Sequence, residues 1–253
     1  MRLKSTAVWY DLPGVEAAYM PIGAPSAVDA LMNVGCTDAQ GNHRMAGRYT
    51  ATPGVLPTWS AATGWYSNGS QYLRTGMVAG DAWSAIVAIK NVVAAGAGFF
   101  GYYNVSNATR FGFAPNYTGV GSIWYSGGFV VSTAFADGVL GVAGRSLYKN
   151  GIQFGTAGAW SGTSGEIYLL RTNGLNGNAG YLSVAAICSR TFSPAEMWLA
   201  SRQMAYCEQN PDWNAWARRR RYYYAPSAAA AIRWPGVGRS GPVGGSPGIR
   251  GSQ

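Results

Sequence analysis

Between Trp65 and Ser189 the chain runs as short apolar stretches broken by Gly, Asn and Ser. In Trp83 to Lys90, residues Trp83, Ala85, Val87 and Ile89 fall on one face of an extended segment, and Ser84, Ile86, Ala88 and Lys90 fall on the other. That period of two predicts a strand. GFFGYYNV, RFGFA, GSIWYS, FVVSTAF, VLGVAGRSLYKN, IQFG, EIYLLR and YLSVAAIC follow at short intervals, with no long helical stripe between them. Short strands with frequent turn signals predict an all-β fold, an antiparallel sandwich or barrel. Asn150-Gly151, inside SLYKNGIQFG, is the sharpest hairpin signal, because a type I′ turn needs positive φ at both central residues.

One helix is predicted, near 194–208. Ser193 can cap it, Pro194 suits its first turn, and Glu196 stands three after the cap to complete a capping box. Met197, Ala200, Met204 and Cys207 then share one face, and Asn210-Pro211 should end the helix. In the first sixty residues VEAAYMP suits an opening strand, DAQGNH (38–43) is a polar turn, and TATPGVLPTW (50–59) reads as irregular and Pro-broken.

Composition narrows the class. The 253 residues are 48% hydrophobic and only 11% charged, with 36 Gly, 12 Pro, 10 Trp and 16 Tyr. A charged fraction this far below the usual quarter excludes a coiled coil, and the aromatics oppose wholesale disorder. No run approaches the ~18–20 apolar residues of a membrane span. The N-terminal MRLKSTAVWYDLPGVE has no apolar stretch of the kind a secretory signal carries, so synthesis in a host cytoplasm and no membrane partner are expected. Cys36, Cys188 and Cys207 are too few and too scattered for a disulfide framework or a thiolate metal site, and read as free thiols.

Charge divides the chain. All ten acids lie at or before Asp212, so the first 212 residues carry +2, while the last 41 carry seven arginines and no acid. The expected boundaries are therefore a sandwich domain over 1–212 and a basic, aromatic, Gly/Pro-rich arm over 213–253. Trp213, Trp216, Arg218, Arg219, Arg220, Arg221, Tyr222, Tyr223, Tyr224, Arg233 and Trp234 give the arm its chemistry. Such a segment cannot build its own core. It can dangle in solvent, bind nucleic acid through arginine and stacked rings, or anchor on neighbouring subunits through arginine–carboxylate pairs and buried rings. Anchoring is the adopted expectation.

The order VEAAYMP, DAQGNH, GWYSNGSQYLRTG, WSAIVAIK, SLYKNGIQFG, EIYLLR and GYLSVAAICSRTFSPAEM resembles the concanavalin A-like, or laminin-G-like, jelly-roll domains of many phage and prophage proteins. Most specific is Arg190-Thr191-Phe192-Ser193-Pro194-Ala195-Glu196, where a small-residue strand runs into a helix start. The ending QNPDWNAWARRRRYYYAPSAAAA is similar to the N-P-W, arginine-cluster and low-complexity endings of phage-encoded members, although Asp212 separates Pro211 from Trp213. The resemblance spans about residues 10–210 and implies a β-sandwich with one short C-terminal helix and an extended tail. It also implies a virion structural protein.

The body offers little catalytic chemistry. Glycoside hydrolysis needs two facing carboxylates, and the acids Asp11, Glu16, Asp29, Asp38, Asp81, Asp137, Glu166, Glu196, Glu208 and Asp212 are isolated in sequence. The single histidine, His43, sits in a polar turn, and no G-x-S-x-G elbow is present. Asp38, Gln40 and Asn42 bring a few oxygens to one turn, short of the roughly six to eight that calcium takes, so Asx-turn chemistry accounts for them. Asp38 and Asn42 stand as the calcium candidates. Sugars could stack on Trp59, Trp65, Tyr66, Tyr72, Trp124, Tyr125 or Trp160, but a sandwich needs such rings for its core.

The expectation is thus a non-enzymatic bacteriophage virion protein without a cofactor. It is a capsid decoration or cement protein held by its arm, homo-oligomeric, and bound to the major capsid protein or to tail or collar proteins. The alternative is a tail, collar or fibre component that binds a surface glycan. A glycan-degrading enzyme and a nucleic-acid binder rank behind both.

Overall fold

A computed structural model describes residues 9–35, 49–93, 98–103, 109–117, 123–124, 130–131, 133–159, 161–173 and 176–210. After a 3-10 turn at Trp9–Asp11 come β1 (Val15–Tyr19) and a one-turn helix α1 (Ala27–Ala30), whose cap Ser26 accepts the Asp29 N–H at 3.1 Å. Four short strands follow: β2 (Thr52–Val55), β3 (Thr58–Ser60), β4 (Gly64–Asn68) and β5 (Tyr72–Arg74). β6 (Ser84–Val93) is ten residues long. Then come β7 (Phe100–Tyr102), β8 (Phe111–Ala114), β9 (Ile123–Trp124), β10 (Val130–Val131), β11 (Gly138–Ala143), β12 (Ser146–Lys149), β13 (Ile152–Thr156) and β14 (Tyr168–Leu169). β15 (Ala179–Cys188) and the helix α2 (Pro194–Gln209) close the described chain.

These strands form two antiparallel sheets, the sandwich that the pattern predicts. One has the order β13-β12-β11-β6-β15-β4-β3, the other β10-β9-β8-β7-β14-β5-β2. β15 is shared lengthwise: its first residues pair with β4, and Ala185 to Cys188 pair with β1. The large sheet is buried on both faces. Ala85, Val87 and Ile89 face the second sheet, packing with Trp65, Leu140, Leu182, Phe100, Phe111 and Phe113. Ile86 and Ala88 face outward beside Val184 and Ala186 of β15, where Met197, Ala200, Met204 and the turn residues Trp9 and Leu12 complete the cluster. Two-sided burial is why β6 reads as a nearly continuous apolar run. Burying one such side chain stabilises by ~1.5–3 kcal/mol.

The R-T-F-S-P-A-E segment has a clear structural task. The Ser84 hydroxyl donates to the Arg190 carbonyl at 2.8 Å and accepts the Phe192 N–H at 2.9 Å. The Arg190 guanidinium donates to the Pro13 carbonyl at 2.6 Å and to Glu196 at 3.0 Å. One arginine therefore ties the N-terminal segment, the end of β15 and the start of α2. The capping box at Ser193 and Glu196 is formed as expected, and the helix ends at Asn210. Asn150 and Gly151 take φ of 50° and 79°, joining β12 to β13.

The stretch 50–59 is not irregular throughout: it supplies β2 and β3. Both are outermost strands, where a proline costs no ladder hydrogen bond. α1 and the opening 3-10 turn are elements that the hydrophobic pattern does not predict.

Candidate functional site

The anchoring set, Trp213, Trp216, Arg218, Arg219, Arg220, Arg221, Tyr222, Tyr223, Tyr224, Arg233 and Trp234, lies outside the described residues. So do the calcium candidates Asp38 and Asn42, together with His43, Cys36, Tyr125 and Trp160. No group of three metal-ligating side chains occurs among the described residues. Cys188 is buried, which pushes its thiol well above the ordinary range, and Cys207 is half-buried.

The aromatics mostly serve the fold. Trp65 is fully buried, and the Trp59 indole N–H donates to the Pro21 carbonyl at 2.9 Å. On the second sheet Tyr72 stacks on Tyr168, with centroids 4.7 Å apart at 21°, and the Arg171 guanidinium sits 5.3 Å from the Tyr72 centroid. Beside them Arg74 pairs with Glu166, which also accepts the Gly76 N–H at 3.0 Å. Tyr72 is thus engaged by its own neighbours. The outer face of the large sheet differs: Tyr66 and Tyr181 form a half-buried, tilted pair 4.9 Å apart.

Several acids have structural partners. Glu16 accepts from the Ser189 hydroxyl at 2.9 Å, and Asp29 from the Ser26 hydroxyl at 2.7 Å. The Arg190 hydrogen bond, followed by those of Ser193, holds the Glu196 carboxyl down at about 2, against an opposing effect of burial. Asp137 accepts the Asn91 N–H at 2.9 Å, fixing a residue with φ of 52°.

Glu208 is different. It stands in the last turn of α2, where no base accompanies it and where the helix dipole disfavours a negative charge. Burial raises its carboxyl above the ordinary range, opposed by the Ser183 hydroxyl and Lys90 and reinforced by Asp137. Its Oε1 is buried with no hydrogen-bond partner. These four groups line one cleft of about 380 Å³, which Ile22, Thr63 and Gln209 also border.

The fold builds this cleft from irregularities. β15 shifts register against β6 between Leu182 and Val184, at Ser183. Asn91 breaks the alternation of β6 just after Lys90. Helix α2 stops at Gln209, and the cleft opens beside its last turn. Tyr181, opposite both Lys90 and Tyr66 in the ladder, continues the same face. Sequence reading missed the site because Lys90, Ser183 and Glu208 come from three separate elements and Asp137 from the bend before β11. The isolation of Asp137 and Glu208 in sequence does not carry into space, since both border this one cleft. The one local signal was an acid in a helix's last turn.

No family model and no curated protein matches the chain. Among solved structures it is similar to domain 4 of AbnA, a GH43 extracellular arabinanase from Geobacillus stearothermophilus, in complex with arabinotriose. The TM-score is 0.45 at 12% identity, over 74% of this chain and 98% of that one. It is also similar to the botulinum neurotoxin type G receptor binding domain, at 0.45 and 9% over 76% and 51% of the two chains. A mutant Trypanosoma rangeli sialidase displaying trans-sialidase activity follows at 0.42 and 8%, over 63% and 30%. The chain thus spans about half of the neurotoxin domain and under a third of the sialidase, and the functional reading rests on its own residues.

Proposed function

We propose that this chain is a bacteriophage virion structural protein whose β-sandwich is displayed on the particle and whose residues 213–253 anchor it there. The observation that carries the reading is where α2 ends and what the sequence does next. The apolar face of α2 is spent on the large sheet through Met197, Ala200 and Met204, and the helix ends at Asn210. Directly beyond, the sequence turns to tryptophan, four successive arginines and three tyrosines, with no acid after Asp212. Arginine and large rings are the residues that carry binding energy at protein interfaces. Repetition by particle symmetry would give linked copies avidity.

The role is assembly rather than catalysis, at the capsid surface as a decoration or cement protein on the major capsid protein, without a cofactor. Particles carrying the gene truncated after Pro211 test this. The shortened protein, soluble and folded in the lysate, is expected to be absent from purified particles by mass spectrometry. Incorporation at full copy number would sink the anchoring role of the arm.

A second reading places the same body in a tail, collar or fibre, where it binds a surface glycan. The cleft at the end of α2, with its unpartnered carboxylate oxygen and adjoining tyrosine pair, favours it.

A further inference from the structure

We infer that the cleft between the last turn of α2 and the outer face of the large sheet is a binding site for a neutral saccharide. The inference rests on the glycan-binding reading and names its site and ligand class.

The walls decide the ligand's charge. An anion drawn to Lys90 would meet Asp137 and the Glu208 carboxylate across the same cleft. A cation drawn to Glu208 would meet Lys90. A neutral ligand rich in hydroxyl groups suits both sides, because each hydroxyl donates one hydrogen bond and accepts others. Glu208 lines the cleft, where its carboxylate can accept from a sugar hydroxyl. Lys90 supplies a donor to a neighbouring hydroxyl, and Thr63 and Gln209 offer further polar contacts at the border. Ile22, Ala62 and Ala205 provide apolar surface for the C–H face of a ring.

Size and extension agree. About 380 Å³ lies at the small end of the ~300–1,000 Å³ typical of ligand sites, which suits one or two sugar residues. The Tyr66–Tyr181 pair, next to Lys90 on the same face, offers ring surface for a second residue. Glu208 carries a burial-raised carboxyl at the unfavourable end of its helix. That is the placement of a group held for a ligand rather than for the helix.

The test uses the full chain and saturation-transfer NMR with methyl α-glucoside, methyl α-galactoside, rhamnose and maltotriose, with glycerol phosphate and putrescine as charged probes. At least one neutral saccharide is expected to bind, with a dissociation constant of about 0.1–10 mM. Glu208→Ala and Lys90→Thr should each weaken it by about tenfold. Lys90 is exposed, so its variant keeps the test open if Glu208→Ala unfolds. Saccharide binding unchanged in the folded variants would overturn this site while leaving glycan binding elsewhere on the body. Failure of every saccharide to bind would overturn the site and the glycan reading together. Saturation of glycerol phosphate or putrescine alone would overturn the ligand class.

Discussion

Two glutamates on one helix show how position sets the contribution of a carboxylate. Glu196, in the first turn of α2, is held down at about 2 by Arg190 and the Ser193 cap. A carboxyl lowered in the folded state adds stability above its unfolded value near 4.5, and that stability is lost as pH falls toward 2. Glu196→Gln should therefore lower stability at pH 7 and flatten the acid limb of a melting-temperature profile. An unchanged acid limb would show that the pair is not formed in solution. Ser193→Ala removes the cap together with one hydrogen bond to the Glu196 carboxylate and should cost ~0.5–2 kcal/mol in urea unfolding. Glu208 has the opposite sign: its raised carboxyl is most favourable below its unfolded value, and stability is lost as pH rises through the folded one. Glu208→Gln should thus raise the melting temperature at neutral pH, with the gain vanishing in acid. A variant less stable than the parent at pH 7 would contradict the burial argument. Glu196 was legible in sequence because a capping box is local. Glu208 was not, because its burial and its partners come from β6, β15 and the bend before β11.

At the scale of elements, legibility followed burial. β6 could be read directly as a short apolar run because both faces meet apolar layers, one the second sheet and the other α2. The edge strands β2 and β3 have little core to alternate against, and mostly exposed or half-exposed positions erase the signal. The β12–β13 turn was legible from Asn150-Gly151 alone, but its contact with α2 was not. A Cβ at Gly151 would lie 2.8 Å from the Trp198 Cα, in a backbone of φ 79°. Two penalties coincide at that residue, the left-handed backbone and the approach of a helix backbone. Gly151→Ala should cost about 1–3 kcal/mol. Hydrogen exchange should show faster opening in β12, β13 and α2 together. Faster exchange confined to the hairpin would mean that the turn does not support the helix.

For the whole molecule the decisive contrast is between +2 over residues 1–212 and +7 over residues 213–253, the stretch proposed as an anchoring arm. The body's core is closed by its own helix, so its stability should be independent of the arm's arginines. Their attraction should be spent on a partner that offers carboxylates and apolar pockets. Replacing Arg218, Arg219, Arg220 and Arg221 with alanine is then expected to leave the melting temperature of the purified protein unchanged. The same change should cut its copy number on particles severalfold. Nucleic acid would answer to the same four residues, so salt separates the partners. Neutralising several phosphates makes the logarithm of the affinity fall steeply with the logarithm of salt concentration, with a slope near −0.9 per contact on duplex DNA. Protein held by desolvated rings and paired arginines should instead stay on the particle through a salt wash. Release at moderate salt, together with a steep salt slope on an oligonucleotide that disappears in the alanine variant, would move the arm's role from anchoring to nucleic-acid binding.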